Sequence, residues 1–251
     1  SRYLRTPLHR FFTGWLLMKA DFIISVSDMC RNDLTALFPR MRKKTMVIPI
    51  GIDFKPFQKL DIHPGKSQVL VHVGGFSFEK NHGGLIRIFS AIRKRIPTAV
   101  LWLVGDGPLL VDVGRQISRA GLEDAVVFFG AVDNPLDYIH SADMLVLPSI
   151  IEGTPAVLPE AFWCGTPVVV YDIGGIPEMV INGETGWLVP AGDEQYFAAK
   201  VIEVLNQPEE RNRIARNARK KAEDDYDNRV ISSRFFQAYE SLIAVDSTRN
   251  K

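Results

Sequence analysis

The chain has 251 residues, 46% hydrophobic and 24% charged, so it holds enough apolar material for one sizeable core or a core plus a fragment. Thirty basic and 29 acidic residues leave a formal charge of +1, which gives no electrostatic reason to expect a nucleic-acid partner. Two cysteines, Cys30 and Cys164, make no disulfide or metal pattern and point to a reducing, cytoplasmic setting; no signal peptide is visible and no apolar run reaches the ~20 residues of a membrane span. A first residue of Ser1 rather than Met reads as an excised or processed chain.

Residues 3–19 carry a helical apolar stripe of Leu4, Leu8, Phe11, Phe12, Trp15 and Met18, with Arg5, His9 and Arg10 among them. The plain reading is a helix packed on a neighbour; the sharper one is a basic, aromatic surface for a membrane or an acceptor. Phe22–Val26 predicts a short buried strand, and Ser27-Asp28 caps a helix over 28–37. The basic run 40–44 reads as a solvated turn. Val47–Asp53 predicts a strand ending in a glycine turn, and the aperiodic stretch 55–67 places a domain boundary near 47–66.

Beyond residue 67 strands and helices alternate. Apolar runs at 69–73, 100–104, 126–129, 144–147, 167–171 and 186–189 read as strands buried on both faces. Helical spacing falls between them and again over 193–206, 208–224 and 228–244. The expected fold is α/β, a doubly wound parallel sheet.

Such a sheet puts the loops after its strands on one rim, where ligands bind. Gly74, Gly75 and Lys80 follow the first of these strands, Gly105-Asp106-Gly107 the second and Gly130 the third. The fourth opens into Glu152-Gly153-Thr154-Pro155, with Glu160 in the next helix; Gly174-Gly175 and Glu178 follow the fifth. Gly153 admits close approach, Thr154 reads as the helix cap and Pro155 as its first residue. A lysine and two helix starts suit a diphosphate, and Glu160 suits a pair of ribose hydroxyls. Gly105 and Gly107 lack the third glycine of a dinucleotide fingerprint, and no Walker sequence occurs. His9, His63, His72, His82 and His140 show no metal spacing. Asp225-Tyr226-Asp227 reads as solvated surface and Cys164 as core.

The run 21–205 resembles the retaining glycosyltransferases of family four, which have the two-domain GT-B fold. The matching pieces include Val47–Asp53, Val73-Gly74 with Glu79-Lys80-Asn81, Val104–Pro108, Phe129-Gly130, Leu147-Pro148-Ser149, Glu152-Gly153 through Glu160-Ala161, Gly165–Val169 and Gly174–Glu178. The resemblance implies an enzyme of the hexosyltransferase type whose donor-binding half is seen here, taking a UDP- or GDP-type sugar and no bound metal or other cofactor. By resemblance Lys80 and Glu152 are catalytic: Lys80 neutralises the leaving diphosphate, and Glu152 with Gly153 and Thr154 holds the transferred sugar and phosphate. Glu160 binds the ribose, and Gly74, Gly75, Gly105, Gly130 and Pro155 complete the donor site. Residues 1–46 then correspond to a remnant of the acceptor domain, 47–225 to the donor domain, and 226–251 to a helix crossing back. The acceptor domain's glycine-rich loop and catalytic histidine are expected ahead of residue 1. Two departures stand out: Gly75 occupies a frequent arginine position, and Ile50 a frequent asparagine position. The acceptor implied is a saccharide or lipid-linked sugar in polysaccharide, lipopolysaccharide or glycolipid synthesis, with peripheral membrane contact. A non-catalytic nucleotide-sugar-binding module, or a subunit that needs a separate acceptor domain, is the alternative. An epimerase of the same fold fits the Lys80 and Glu152 loops less well.

Overall fold

The computed structural model describes residues 6–62, 65 and 67–249, with side chains described as far as Ile243. Tyr3, Leu4 and Arg5 of the first predicted helix, and His63, lie outside the described residues. Two units separate: residues 1–51 with 228–251, and residues 52–227.

In the first unit, helix α1 (Pro7–Lys19) is capped by Thr6, whose hydroxyl accepts the His9 N–H. Strand β1 (Ile23–Ser25) pairs in parallel with β2 (Thr45–Val47), and between them lie α2 (Asp28–Leu37), capped by Ser27, and a 3-10 turn, Pro39–Lys44. The strand thus ends at Val47, where the sequence reading began one; Ile48 instead packs with Ile231 and Ala238 of α10 (Asn228–Arg249). At Gly51 a side chain would meet Asn228 and Ile231, which ties the segment through Gly51 to this unit. The basic run is not merely solvated. Lys44 donates to the carbonyls of Met18 and Ala20, satisfying the end of α1, and Met41 is buried. Helix α1 lies against Phe38 at Gly14, where a Cβ would stand 3.1 Å from the ring, but it buries none of its residues, and Leu8, Phe11, Phe12, Trp15 and Met18 of its stripe are exposed.

The second unit is a six-stranded sheet, every pairing parallel. Its strands are β3 (Val69–Val73), β4 (Val100–Val104), β5 (Val126–Gly130), β6 (Met144–Leu147), β7 (Val168–Asp172) and β8 (Trp187–Pro190), in the order β5-β4-β3-β6-β7-β8. The order reverses between β3 and β6, the switch point where such sheets open a crevice at their carboxyl ends. Alternate strand residues feed two cores. Leu70, Leu103, Val146 and Tyr171 pack with α3 (His82–Arg95), α4 (Leu110–Arg119) and α8 (Glu194–Leu205). Val71, Trp102, Leu145 and Val170 pack with α5 (Pro135–Ser141), α6 (Val157–Cys164), α7 (Ile176–Met179) and α9 (Pro208–Asp225). Tyr226 belongs to this second core, and its carbonyl accepts the Ile52 N–H, so the Asp225–Asp227 stretch is not simply solvated surface. Cys164 is buried as expected, with its thiol pushed up to about 12, chiefly by burial.

Candidate active site

The loops after β3, β4 and β5 lock together through glycine. The Gly74 N–H donates to Val104 O, the Gly105 N–H to Gly130 O and the Phe76 N–H to Asp106 O. Gly105 sits at φ +135°, where a Cβ would overlap the Gly74 carbonyl, and a Cβ on Gly107 would lie 2.7 Å from both N and O of Phe76. Gly75 differs: its nearest neighbour is Asp106 O at 3.6 Å, ordinary contact. Space does not demand glycine there.

Lys80 ends a 3-10 turn, Phe78–Lys80, directly above this floor. Its stem packs on Gly74, where a Cβ would lie 3.3 Å from Cε. Its ammonium reaches Glu152 Oε1 at 2.7 Å, and the side chains are only 21% and 8% exposed. The loop after β6 is held from two sides: Ile150 N–H donates to Glu79 O, and Gly175 N–H to Gly153 O. Gly174 has φ +54° and meets the Glu152 carbonyl so closely that no side chain fits. The structure therefore brings together Gly74, Lys80 and Glu152, with Gly105 and Gly130 beneath and Gly153 exposed beside them.

The start of the next helix corrects the sequence reading. Helix α6 begins at Val157 with Ala156 as its cap residue, and no side chain caps it. Thr154 and Pro155 lie ahead of it because the first turn is wound on the carbonyls of Pro155 and Ala156, which accept from Leu158 and Glu160. Glu160 lies in the first turn. Burial raises its carboxyl from 4.5 to about 7, and it makes no hydrogen bond or ion pair among the described residues.

Two buried histidines were passed over by a reading that weighed histidines only as metal ligands. His72 interrupts an otherwise apolar strand, which was the available signal. Its Nδ1 lies 3.0 Å from Val146 O; a carbonyl only accepts, so that nitrogen carries the proton and buried Nε2 is left without a partner. His82 stacks on Phe76 and meets His72 edge-on. Burial above all lowers the two to about 3 and about 4, so both are neutral near pH 7. The Ser149 hydroxyl is likewise buried and unpartnered. Among the described residues no group of three or more His, Cys, Asp or Glu is placed to hold a metal ion.

A family model described as "Glycosyl transferases group 1" matches residues 54–221. The chain is 32% identical over 230 residues to glycogen synthase of Mycobacterium tuberculosis, covering 90% of this chain and 55% of that protein. It is 27% identical over 236 residues to N-acetyl-alpha-D-glucosaminyl L-malate synthase of Bacillus anthracis, covering 91% and 61%. The chain thus spans somewhat over half the length of these relatives. Among solved structures, Anabaena HepE in complex with UDP and glucose superposes with a TM-score of 0.85 at 23% identity, over 96% of this chain and 69% of that one. Sucrose-phosphate synthase of Thermosynechococcus elongatus gives 0.80 at 27% identity, over 96% and 63%. These likenesses give the fold as the Rossmann-like α/β arrangement of GT-B proteins. With residues 54–221 inside the family model, the chain belongs to the glycosyl transferases group 1.

Proposed function

We propose that this chain is the donor-binding half of a retaining family-four glycosyltransferase, moving a hexose from a UDP- or GDP-sugar to a saccharide or lipid-linked acceptor. The observation that carries the reading is the Lys80–Glu152 pair seated on a glycine floor at the switch point of the sheet. Lys80 is a cation placed to offset charge on a leaving diphosphate, so electrostatic stabilisation comes from the protein itself rather than from a bound metal. Glu152, with Gly153 and Thr154, holds the sugar and its phosphate. Glu160, an unpartnered carboxylate one helical turn in, accepts the ribose hydroxyls. Kinship with a glycogen synthase supports work on a polysaccharide; lipopolysaccharide or glycolipid synthesis at the cytoplasmic face of a membrane belongs to the same reading. The exposed Phe11, Phe12 and Trp15 of α1 are in keeping with peripheral contact there. An acceptor domain completes the enzyme in this reading.

Thermal-shift titration with UDP, GDP, ADP and their sugar conjugates tests it. One base should stabilise the fold, by ~2.7 kcal/mol at a hundred times its dissociation constant, and Glu160→Ala should abolish the shift. A second reading, a nucleotide-sugar-binding module without transfer, is favoured by Gly75: the position often held by arginine in the resemblance carries no cation here, though a Cβ would make only ordinary contact with Asp106 O. Each such charged contact is worth ~1.5–3 kcal/mol. Gly75→Arg should therefore tighten binding of the nucleotide sugar, read in the same titration.

Glu160 also makes binding pH-dependent. Both of its oxygens accept from a hydroxyl pair best when the carboxyl is ionised, so affinity for a nucleotide sugar should rise through about pH 7 and level off above it. Below that the loss approaches ~10-fold per pH unit, and Glu160→Gln should flatten the profile. The stability sign is opposite. The folded pKa lies above 4.5, so the favourable protonated state is fully present below about pH 4.5 and lost as pH rises through about 7. The unliganded Glu160→Gln chain should then be more stable than wild type above pH 7, as a urea midpoint would show.

A further inference from the structure

The geometry points to Asn81 as a positioning residue that latches the Lys80 turn to the Glu152 loop and so fixes where the ammonium meets a diphosphate. The inference rests on the role of Lys80 proposed above.

Asn81 follows Lys80 and is the only non-glycine residue with positive φ among those described (φ +53°, ψ +47°). It caps α3: its Oδ1 accepts the Gly84 N–H at 3.2 Å. Its Nδ2 donates to Pro148 O at 2.9 Å, across 67 residues of chain. A backbone N–H only donates and a carbonyl only accepts, so the carboxamide has one orientation that satisfies both. Gly84 belongs to the same device, since a Cβ there would stand 2.8 Å from Asn81 Cγ and Oδ1 and displace it. A second bond runs beside it, from Ile150 N–H to Glu79 O at 2.8 Å. These two ties straddle Lys80 on one side and Ser149 on the other. They hold two loops that hang from neighbouring strands, β3 and β6, at the separation the Lys80–Glu152 bond needs.

The position asks three things of its residue: a left-handed backbone, an acceptor for the helix start, and a donor for Pro148. Asparagine meets all three. Aspartate meets the first two but cannot donate, and glycine meets only the first. Asn81→Asp and Asn81→Gly therefore remove the latch while sparing the backbone, and only the first introduces a charge.

The experiment measures dissociation constants by calorimetry for the pairs UDP and uridine, and GDP and guanosine, with thermal melts of each variant alongside. The ratio of diphosphate to nucleoside affinity reads the diphosphate grip alone. Wild type should show a large ratio for one base, and Lys80→Ala should collapse it. Asn81→Asp and Asn81→Gly should each cut it tenfold or more while leaving nucleoside binding unchanged. Gly84→Ala, which evicts the carboxamide from the other side, should do the same. Folded Asn81 variants with the wild-type ratio would overturn the latch while leaving the reading of Lys80 intact. A Lys80→Ala chain that keeps the ratio, or a wild type that binds neither diphosphate, would overturn that reading and the latch with it.

Discussion

Lys80→Met should cost the fold about 3–5 kcal/mol. Methionine keeps most of the aliphatic stem that lies on Gly74, so the packing there survives and the change removes charge. What remains is Glu152, 8% exposed, with its 2.7 Å partner gone. A carboxylate stranded where water barely reaches is expensive, whereas the pair together is close to neutral in its net effect. Glu152→Gln in the same chain should therefore recover most of the loss. Urea unfolding of the two single variants and the double, compared through midpoints at unchanged slope, gives the coupling directly. A loss of ~1 kcal/mol or less in Lys80→Met would show that the pair behaves as an ordinary solvated one. The recovered double variant should still bind a nucleoside diphosphate no better than the bare nucleoside, which separates the stabilising part of the pair from its part in ligand binding.

Gly174→Ala should be nearly as damaging, at about 3 kcal/mol or more, for a reason of geometry rather than charge. Two terms add. A left-handed backbone at φ +54° strains any side chain, and the new methyl would occupy the space of the Glu152 carbonyl oxygen. Gly183 separates these terms, because it has φ +76° and nothing within 4 Å. Gly183→Ala should cost only about 1–2 kcal/mol. The excess in Gly174→Ala measures the collision. Relieving it moves the Glu152 backbone, so this variant should also weaken diphosphate binding, while Gly183→Ala should not. Equal costs at the two positions, by thermal or urea unfolding, would rule out the collision.

The sheet was legible because burial on both faces writes strands as apolar runs, interrupted in β3 by His72. Val69–Val73 and Val100–Val104 stand as expected. The clustering of Lys80, Glu152 and the strand-end glycines was legible for the same reason, since parallel strands deliver their loops to one rim. Local rules failed where tertiary contacts outvote them. Thr154-Pro155 has the look of a helix start, yet the chain turns further and winds α6 from Val157. Tyr226 sits in a charged helical stretch, but its ring is drawn into the core. The stripe of α1 has helical spacing, but periodicity alone does not say what covers a face. His72 stood out as a polar break in an apolar strand, but its partner did not, because its bond to Val146 crosses 74 residues.

The sheet order also has a kinetic consequence. Strands β3, β4 and β5 form one half from near neighbours in sequence, and β6, β7 and β8 form the other. Within the sheet the halves pair through β3 and β6, where Val69 and Asp143 bond across 74 residues. Such distant closures come late in folding, because the chain loses entropy before the contact repays it. Lys80 hangs from one half and Glu152 from the other, so neither half on its own contains the pair. The site should therefore form late, at this seam, and a nucleotide that grips it would select the fully assembled unit over every partly folded one.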